Sequence, residues 1–176
     1  MVTAGMRADA ARAAVRARLA AAGIEEAAQE ADALLEKATG RSFWALERGA
    51  ALSGAQAAQL EALAARREQH EPLQYLLGRW DFYTLTLAVG PGVLCPRADT
   101  ETVVEACVPV LERAQAARGA PAGGQPGARL RLLDLCAGTG AIGLALQQKF
   151  PAAQVTLVEK SSAAFAYLQE NAGASA

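Results

Sequence analysis

Residues 130–146 read LRLLDLCAGTGAIGLAL, and QVTLVE follows at 154–159. The first stretch carries an apolar strand into a glycine-rich turn and then into a helix-period run. The second is another apolar strand, closed by Glu159 nineteen positions after Gly140. Strand, glycine turn, helix and strand-end acid, in that order, predict a βαβ unit that holds a nucleotide-containing cofactor against main-chain amides at a helix start. Gly138, Gly140 and Gly143 match G-x-G-x-x-G. Glycine turns the backbone sharply and leaves no side chain between ligand and amides, so two cofactor classes share this pattern.

Asp134 separates them. It stands four residues before Gly138 at the end of the first strand, giving D-x-x-x-G-x-G. A carboxylate there neutralises a cationic ligand or orients loop amides and water. That suits the ammonium and sulfonium of S-adenosylmethionine better than an anionic pyrophosphate, so a methyl donor is the expected cofactor and a dinucleotide the alternative. Glu159 then offers two acceptor oxygens to the two ribose hydroxyls; otherwise it is a solvated strand-end carboxylate. The predicted cofactor residues are Asp134, Cys136, Ala137, Gly138, Thr139, Gly140 and Glu159.

The chain has 176 residues, enough for one sizeable domain or two small ones, and the texture of the sequence favours two. With 17 basic and 18 acidic side chains, its formal charge of −1 gives no general attraction to nucleic acid. Cys95, Cys107 and Cys136 are odd in number and lack metal-ligand spacing, so buried, reduced thiols in a cytoplasmic protein are expected, with no metal. His70, the only histidine, follows a helical stretch and reads as a capping or surface residue. No apolar run approaches the roughly 18 residues that span a bilayer, so no membrane segment is expected. MRADAARAAVRARLAAAG at 6–23 superficially resembles a transit peptide, but its apolar spacing runs on into further helical segments and it reads as an ordinary first helix.

The first 70 or so residues keep a helical period with few β-branched residues. Ile24, Ala27, Ala28, Ala31, Leu34, Leu35 and Ala38 form one apolar face, ended by Gly40. Ser53 and Gln56 are spaced as a capping box opening a helix through Leu60, Leu63 and Arg67. From Pro72 the aromatic and β-branched run PLQYLLGRWDFYTLTLAVGPGVLCPRADTE reads as a hairpin connector. Phe82 and Tyr83 read as packing between hairpin and sheet. Asp99 or Thr100 is expected to cap a helix from about Glu101 to Ala117, with Val103, Val104, Cys107, Val110 and Leu111 on its apolar face. GAPAGGQPGA at 119–128 reads as a flexible loop.

In this order, PLQYLLG, Phe82-Tyr83, VGPGVLCPRADTE and DLCAGTGAIGLAL, after a helical domain, resemble the HemK/PrmC family of release-factor glutamine methyltransferases along the whole chain. PRADTE, Pro96 to Glu101, is the most diagnostic segment; the family reads PRPDTE or PRPETE there. Ala98 replaces the second proline, Thr84 stands where glycine is frequent, and Cys136 occupies the first glycine of DLGTGSG. If the backbone at Cys136 requires positive φ, a cysteine there costs roughly 1 kcal/mol or more.

The resemblance implies an α/β fold: a helical release-factor-binding domain (1–71), a β-hairpin connector (72–98) and the first part of a Rossmann-like S-adenosylmethionine-dependent methyltransferase sheet (99–176). It implies methyl transfer to the side-chain amide of the glutamine in the Gly-Gly-Gln motif of class-one peptide chain release factors. Arg97, Thr100 and Glu101 are expected to line the cleft from the hairpin side, with an Arg97 ion pair to Glu101 or Asp99 as the alternative. The family binds the glutamine amide through an Asn-Pro-Pro-Tyr motif, which these 176 residues do not contain. Family layout puts it beyond Ala176, so no catalytic residue is assigned in this chain, which is expected to be a truncated enzyme, poor in cofactor binding and without turnover. Gly123-Gly124-Gln125 repeats the family's target sequence and reads as coincidence in a glycine-rich loop. Three other readings remain: a nucleic-acid amino-methyltransferase, disfavoured by the balanced charge; a dinucleotide enzyme, disfavoured by Asp134; and a non-catalytic module that grips a release factor through the helical domain.

Overall fold

The computed structural model describes residues 1–47, 49–117 and 129–174. The chain forms two compact units, Met1–Leu77 and Gly78–Ala176, each with its own apolar core. The loop at 119–128, including Gly123-Gly124-Gln125, lies outside the described residues.

The first unit is helical: α1 (Ala8–Ala21), α2 (Ala27–Thr39), α3 (Gly54–Glu68) and α4 (Leu73–Leu77), with a 3₁₀ turn at Phe43–Ala45. Ala, Leu, Glu, Gln and Arg dominate these segments, the residues that lose least freedom in a helix. Ala11, Val15 and Leu19 make the buried stripe of α1, and they meet Ala31, Leu34 and Leu35 of α2 and Leu60 and Ala64 of α3. Gly40, in a left-handed conformation at φ 72°, ends α2 as expected. The capping box of α3 is complete: Gln56 N donates to Ser53 Oγ (3.2 Å), and Ser53 N donates to Gln56 Oε1 (3.0 Å). His70 closes the other end of α3 with its backbone. At φ 60° its amide reaches Arg67 O (2.9 Å) while the Glu71 amide reaches Arg66 O (3.3 Å), a Schellman closure with histidine in glycine's usual place. The arginines of α1 link it to its neighbours, Arg12 to Asp32 of α2 and Arg18 to Glu61 and Glu68 of α3.

The second unit begins with the hairpin β1 (Arg79–Phe82) and β2 (Leu85–Ala88), followed by α5 (Ala98–Ala117), β3 (Arg131–Leu135), α6 (Ala141–Lys149), β4 (Gln154–Val158) and α7 (Ser162–Ala174). β3 and β4 pair in parallel, from Arg131 opposite Gln154 to Leu135 opposite Val158, with α6 as the crossover. This is the predicted βαβ unit, a Rossmann-like arrangement of two parallel strands and a crossover helix. Phe82, Leu87, Val104, Leu144 and Ala145 form the core, which settles Phe82 as a packing residue.

Three details depart from the sequence reading. α5 starts at Ala98, because the Arg97 carbonyl already accepts the Thr100 amide (2.9 Å); Asp99 and Thr100 therefore sit in its first turn and do not cap it. On its apolar face Val104 is fully buried, but Val103 and Val110 are 45% and 53% exposed. They border a cavity of about 520 Å³ between α5 and the sheet, lined also by Leu132, Ile142 and Val155. Of the three unpaired thiols only Cys95 is buried; Cys107 is half-buried and Cys136 is exposed on a loop.

The other face of the strand pair is bare, with Leu133, Leu135 and Val158 at 62%, 63% and 44% exposure. Among the described residues neither strand has a second neighbour, and no helix is long and apolar enough to cross a membrane.

Candidate cofactor site

The site is built where β3 runs into α6. The chain leaves Leu135 through Cys136, Gly138 and Gly140, all left-handed at φ 61°, 57° and 83°. Alternating handedness folds the loop back on itself, with Gly140 N donating to Ala137 O (2.7 Å) and Ala137 N to Val158 O (3.0 Å). Gly140 then caps α6, and its carbonyl accepts the Leu144 amide (2.8 Å). The third glycine serves packing: a Cβ on Gly143 would lie 2.2 Å from Leu157 Cδ2 and 2.9 Å from Asp134 Oδ2, so only hydrogen lets α6 approach the sheet this closely.

Glu159, at the end of β4, faces this loop. Its Oε2 accepts the Gly138 amide and its Oε1 the Ser161 amide, each at 2.8 Å. These amides, Ser161 first, hold its carboxyl below the usual carboxylate range. A carboxylate has about four lone-pair sites, so each oxygen keeps capacity for a further donor, and a vicinal diol presents two such donors. The donor set thus fits the ribose end of a nucleoside.

Asp134 is placed differently. Its half-buried carboxylate lies on the helix side of the sheet, where Oδ2 accepts the Gly143 amide (3.0 Å) in the first turn of α6. Burial raises its pKa, and the Gly143 amide opposes that rise. The amide that Asp134 orients is thus that of Gly143 in α6 and not one of the loop. Thr139 is buried within the loop, and Ala137 is half-buried.

The hairpin-side residues make other contacts. Glu101 Oε1 accepts the Tyr83 amide (2.8 Å) at the hairpin turn, and the Arg97 carbonyl accepts the Thr100 amide. Among the described residues no hydrogen bond or ion pair joins Arg97, Thr100 or Glu101 to the glycine loop or to Glu159, and Arg97 forms no ion pair with Asp99 or Glu101. The connector reaches the loop through other residues. Gly92 lies on α7 with no room for a Cβ, which would meet Ala163 Cβ at 2.8 Å, and buried Val93 sits beside Gly138.

One residue of the site escaped the sequence reading. Asn171 of α7 is 3% exposed. It accepts the Ala88 amide of β2 on Oδ1 (2.6 Å), and its Nδ2 donates to Ala88 O (3.2 Å) and to Thr139 O of the glycine loop (2.9 Å). The available signal was a polar side chain on the apolar stripe Ala164, Leu168, Asn171 of a helix.

Comparison with known proteins agrees with this architecture. A family profile described as the PrmC N-terminal domain matches residues 10–78, and one described as a methyltransferase small domain matches 125–176. The chain belongs to the HemK/PrmC family. It is 38% identical over 159 residues to the release factor glutamine methyltransferase of Geobacter sulfurreducens, covering 89% of this chain and 51% of that one. To the enzyme of the same name from Bifidobacterium longum it is 39% identical over 150 residues, 82% of this chain and 47% of the relative. To that of Escherichia coli it is 37% identical over 150 residues, 84% and 49%. The chain spans about half the length of these curated relatives.

The backbone accounts for two of the three departures from the HemK/PrmC pattern, Thr84 and Ala98, and leaves Cys136 strained. Cys136 stands where the family has glycine and keeps the left-handed backbone that glycine favours. At the two-residue turn between β1 and β2 the positive φ falls on Tyr83 (57°) and not on Thr84, so a β-branched residue is accepted at that glycine position. Ala98, in place of proline, is the first residue of α5, a position where either residue fits because its amide has no helical partner.

Proposed function

We propose that this chain carries the cofactor-binding half of a release factor glutamine methyltransferase, with S-adenosylmethionine as methyl donor and a class-one peptide chain release factor as partner. The observation that carries this reading is the Gly138–Glu159 hydrogen bond, which brings the loop amides and a strand-end carboxylate to one place in the βαβ unit. The cofactor supplies a methyl group on a sulfonium, transferred to a glutamine side-chain amide nitrogen that loses a proton. Glu159 holds the ribose hydroxyls through its two oxygens. Gly138, Thr139 and Gly140, with Cys136 and Ala137, shape the backbone against which the nucleoside lies. Asp134 fixes the first turn of α6 through Gly143 and adds negative charge beneath the loop. Arg97, Thr100 and Glu101 flank the hairpin side of the cleft.

The target amide has its lone pair delocalised into the carbonyl, so catalysis depends on holding it in line with the sulfonium while that delocalisation is lost. The Asn-Pro-Pro-Tyr motif that the family uses for this is not in the 176 residues, so we expect no turnover from them alone. The helical domain grips the release factor, in the cytoplasm, a compartment that suits three unpaired thiols.

The deciding experiment is a calorimetric titration of the chain and of Glu159→Ala with S-adenosylmethionine, using NAD as control. Saturable binding of the methyl donor alone, lost in the variant, supports the reading. Binding of NAD, or of neither ligand, overturns it, and release-factor binding by the helical unit alone would then favour a non-catalytic module.

A further inference from the structure

We propose that Asn171 is a positioning residue that locks the glycine loop to the hairpin, so that the loop keeps its ligand-ready shape only while β2 is seated. The proposal rests on the cofactor reading above for its functional meaning. The geometry is unusual for a buried amide on an otherwise apolar helix stripe. Oδ1 takes the Ala88 amide, and Nδ2 faces two carbonyls, Ala88 O in β2 and Thr139 O at the middle of the loop. One planar group therefore spans two segments 51 positions apart in the chain, since Thr139 minus Ala88 gives that separation.

Neither an apolar nor an acidic side chain of similar size keeps all three bonds. A leucine of similar size would leave the Ala88 amide and two carbonyls without these partners in a buried site. An aspartate would keep the acceptor for Ala88 N and set a carboxylate against both carbonyls. α7 is shaped for the task along its length. Gly140 has Leu168 Cδ1 2.6 Å from the place of an added Cβ, and Gly90 has Tyr167 Oη 2.2 Å from its own. Both segments that Asn171 ties together thus already lie against α7 at neighbouring positions.

The test uses the full chain without ligand and then with S-adenosylmethionine. In Asn171→Ala, hydrogen exchange at the Gly138 and Gly140 amides should quicken by about tenfold, and exchange at Ala88 with it. Val104→Ala, a core truncation on α5 that removes no hydrogen bond to the loop, serves as the control and should leave loop exchange, measured below its melting range, near the wild-type rate. Asn171→Asp separates the two arms: it keeps Ala88 protected and frees the loop. Methyl-donor affinity should fall about tenfold in Asn171→Ala and stay within twofold in Val104→Ala. Loop exchange that is unchanged in Asn171→Ala, or raised equally by Val104→Ala, overturns the proposal. If the wild type does not bind S-adenosylmethionine, the functional reading fails while loop exchange still decides the role of Asn171.

Discussion

Cys136 joins sequence to structure most directly. The sequence shows only a cysteine where relatives have glycine, and whether it matters depends on one backbone angle that residue order does not print. At φ 61° the side chain is held in the left-handed region, a strain of about 1–2 kcal/mol. Glycine relieves it and gives back roughly 0.5–1 kcal/mol through its freer unfolded chain. Cys136→Gly should therefore stabilise the chain by up to about 1.5 kcal/mol, read as a higher urea midpoint at unchanged slope; a lower midpoint would contradict the strain argument. Glu159 offers a second residue-scale prediction. Its carboxyl is held low by the Ser161 and Gly138 amides, so its stabilising effect is present above the unfolded pKa of about 4.3 and lost as pH falls through the lowered folded value. The stability difference between the wild type and Glu159→Gln, read from acid melts, should be full above the unfolded value of about 4.3 and shrink as pH falls below it through the lowered folded value. Parallel curves across that window would show that those amide bonds do not favour the ionised form.

At the scale of elements, local patterns were legible and long-range partners were not. The βαβ unit, the Gly40 stop and the Ser53–Gln56 box each depend on neighbours a few positions away, so propensity and spacing announced them. The start of α5 was misplaced because Asp99 and Thr100 are good caps by type, while the winding was settled by the Arg97 carbonyl. Asn171 was invisible because its partners lie far upstream. Glu101 was expected to line the cleft from the hairpin side, and its bond to the Tyr83 amide is a contact that only the folded hairpin creates. Gly143 is where element packing is least forgiving. Gly143→Ala places a Cβ 2.2 Å from Leu157 Cδ2, so α6 must shift from the sheet at about 1–3 kcal/mol. The expected outcome is a lower melting midpoint together with weaker methyl-donor binding, since the same helix carries the loop; an unchanged midpoint would mean the helix yields freely.

The whole molecule divides its stability between two cores. In the helical unit the apolar cluster runs from Val2 to Leu76 and the arginine links stay inside it. Residues 1–77 should therefore fold alone, giving a helical circular dichroism spectrum and a cooperative thermal transition; a gradual, featureless melt would show that this core needs the rest of the chain. The second unit has a different balance. Its strand pair turns Leu133, Leu135 and Val158 to water beside strand edges that no other strand pairs among the described residues, the combination on which chains recruit one another edge to edge. For the bench this argues for dilute samples: light scattering of the chain should rise with concentration at temperatures below its melting midpoint, and scattering that does not change with concentration would show that this face stays solvated.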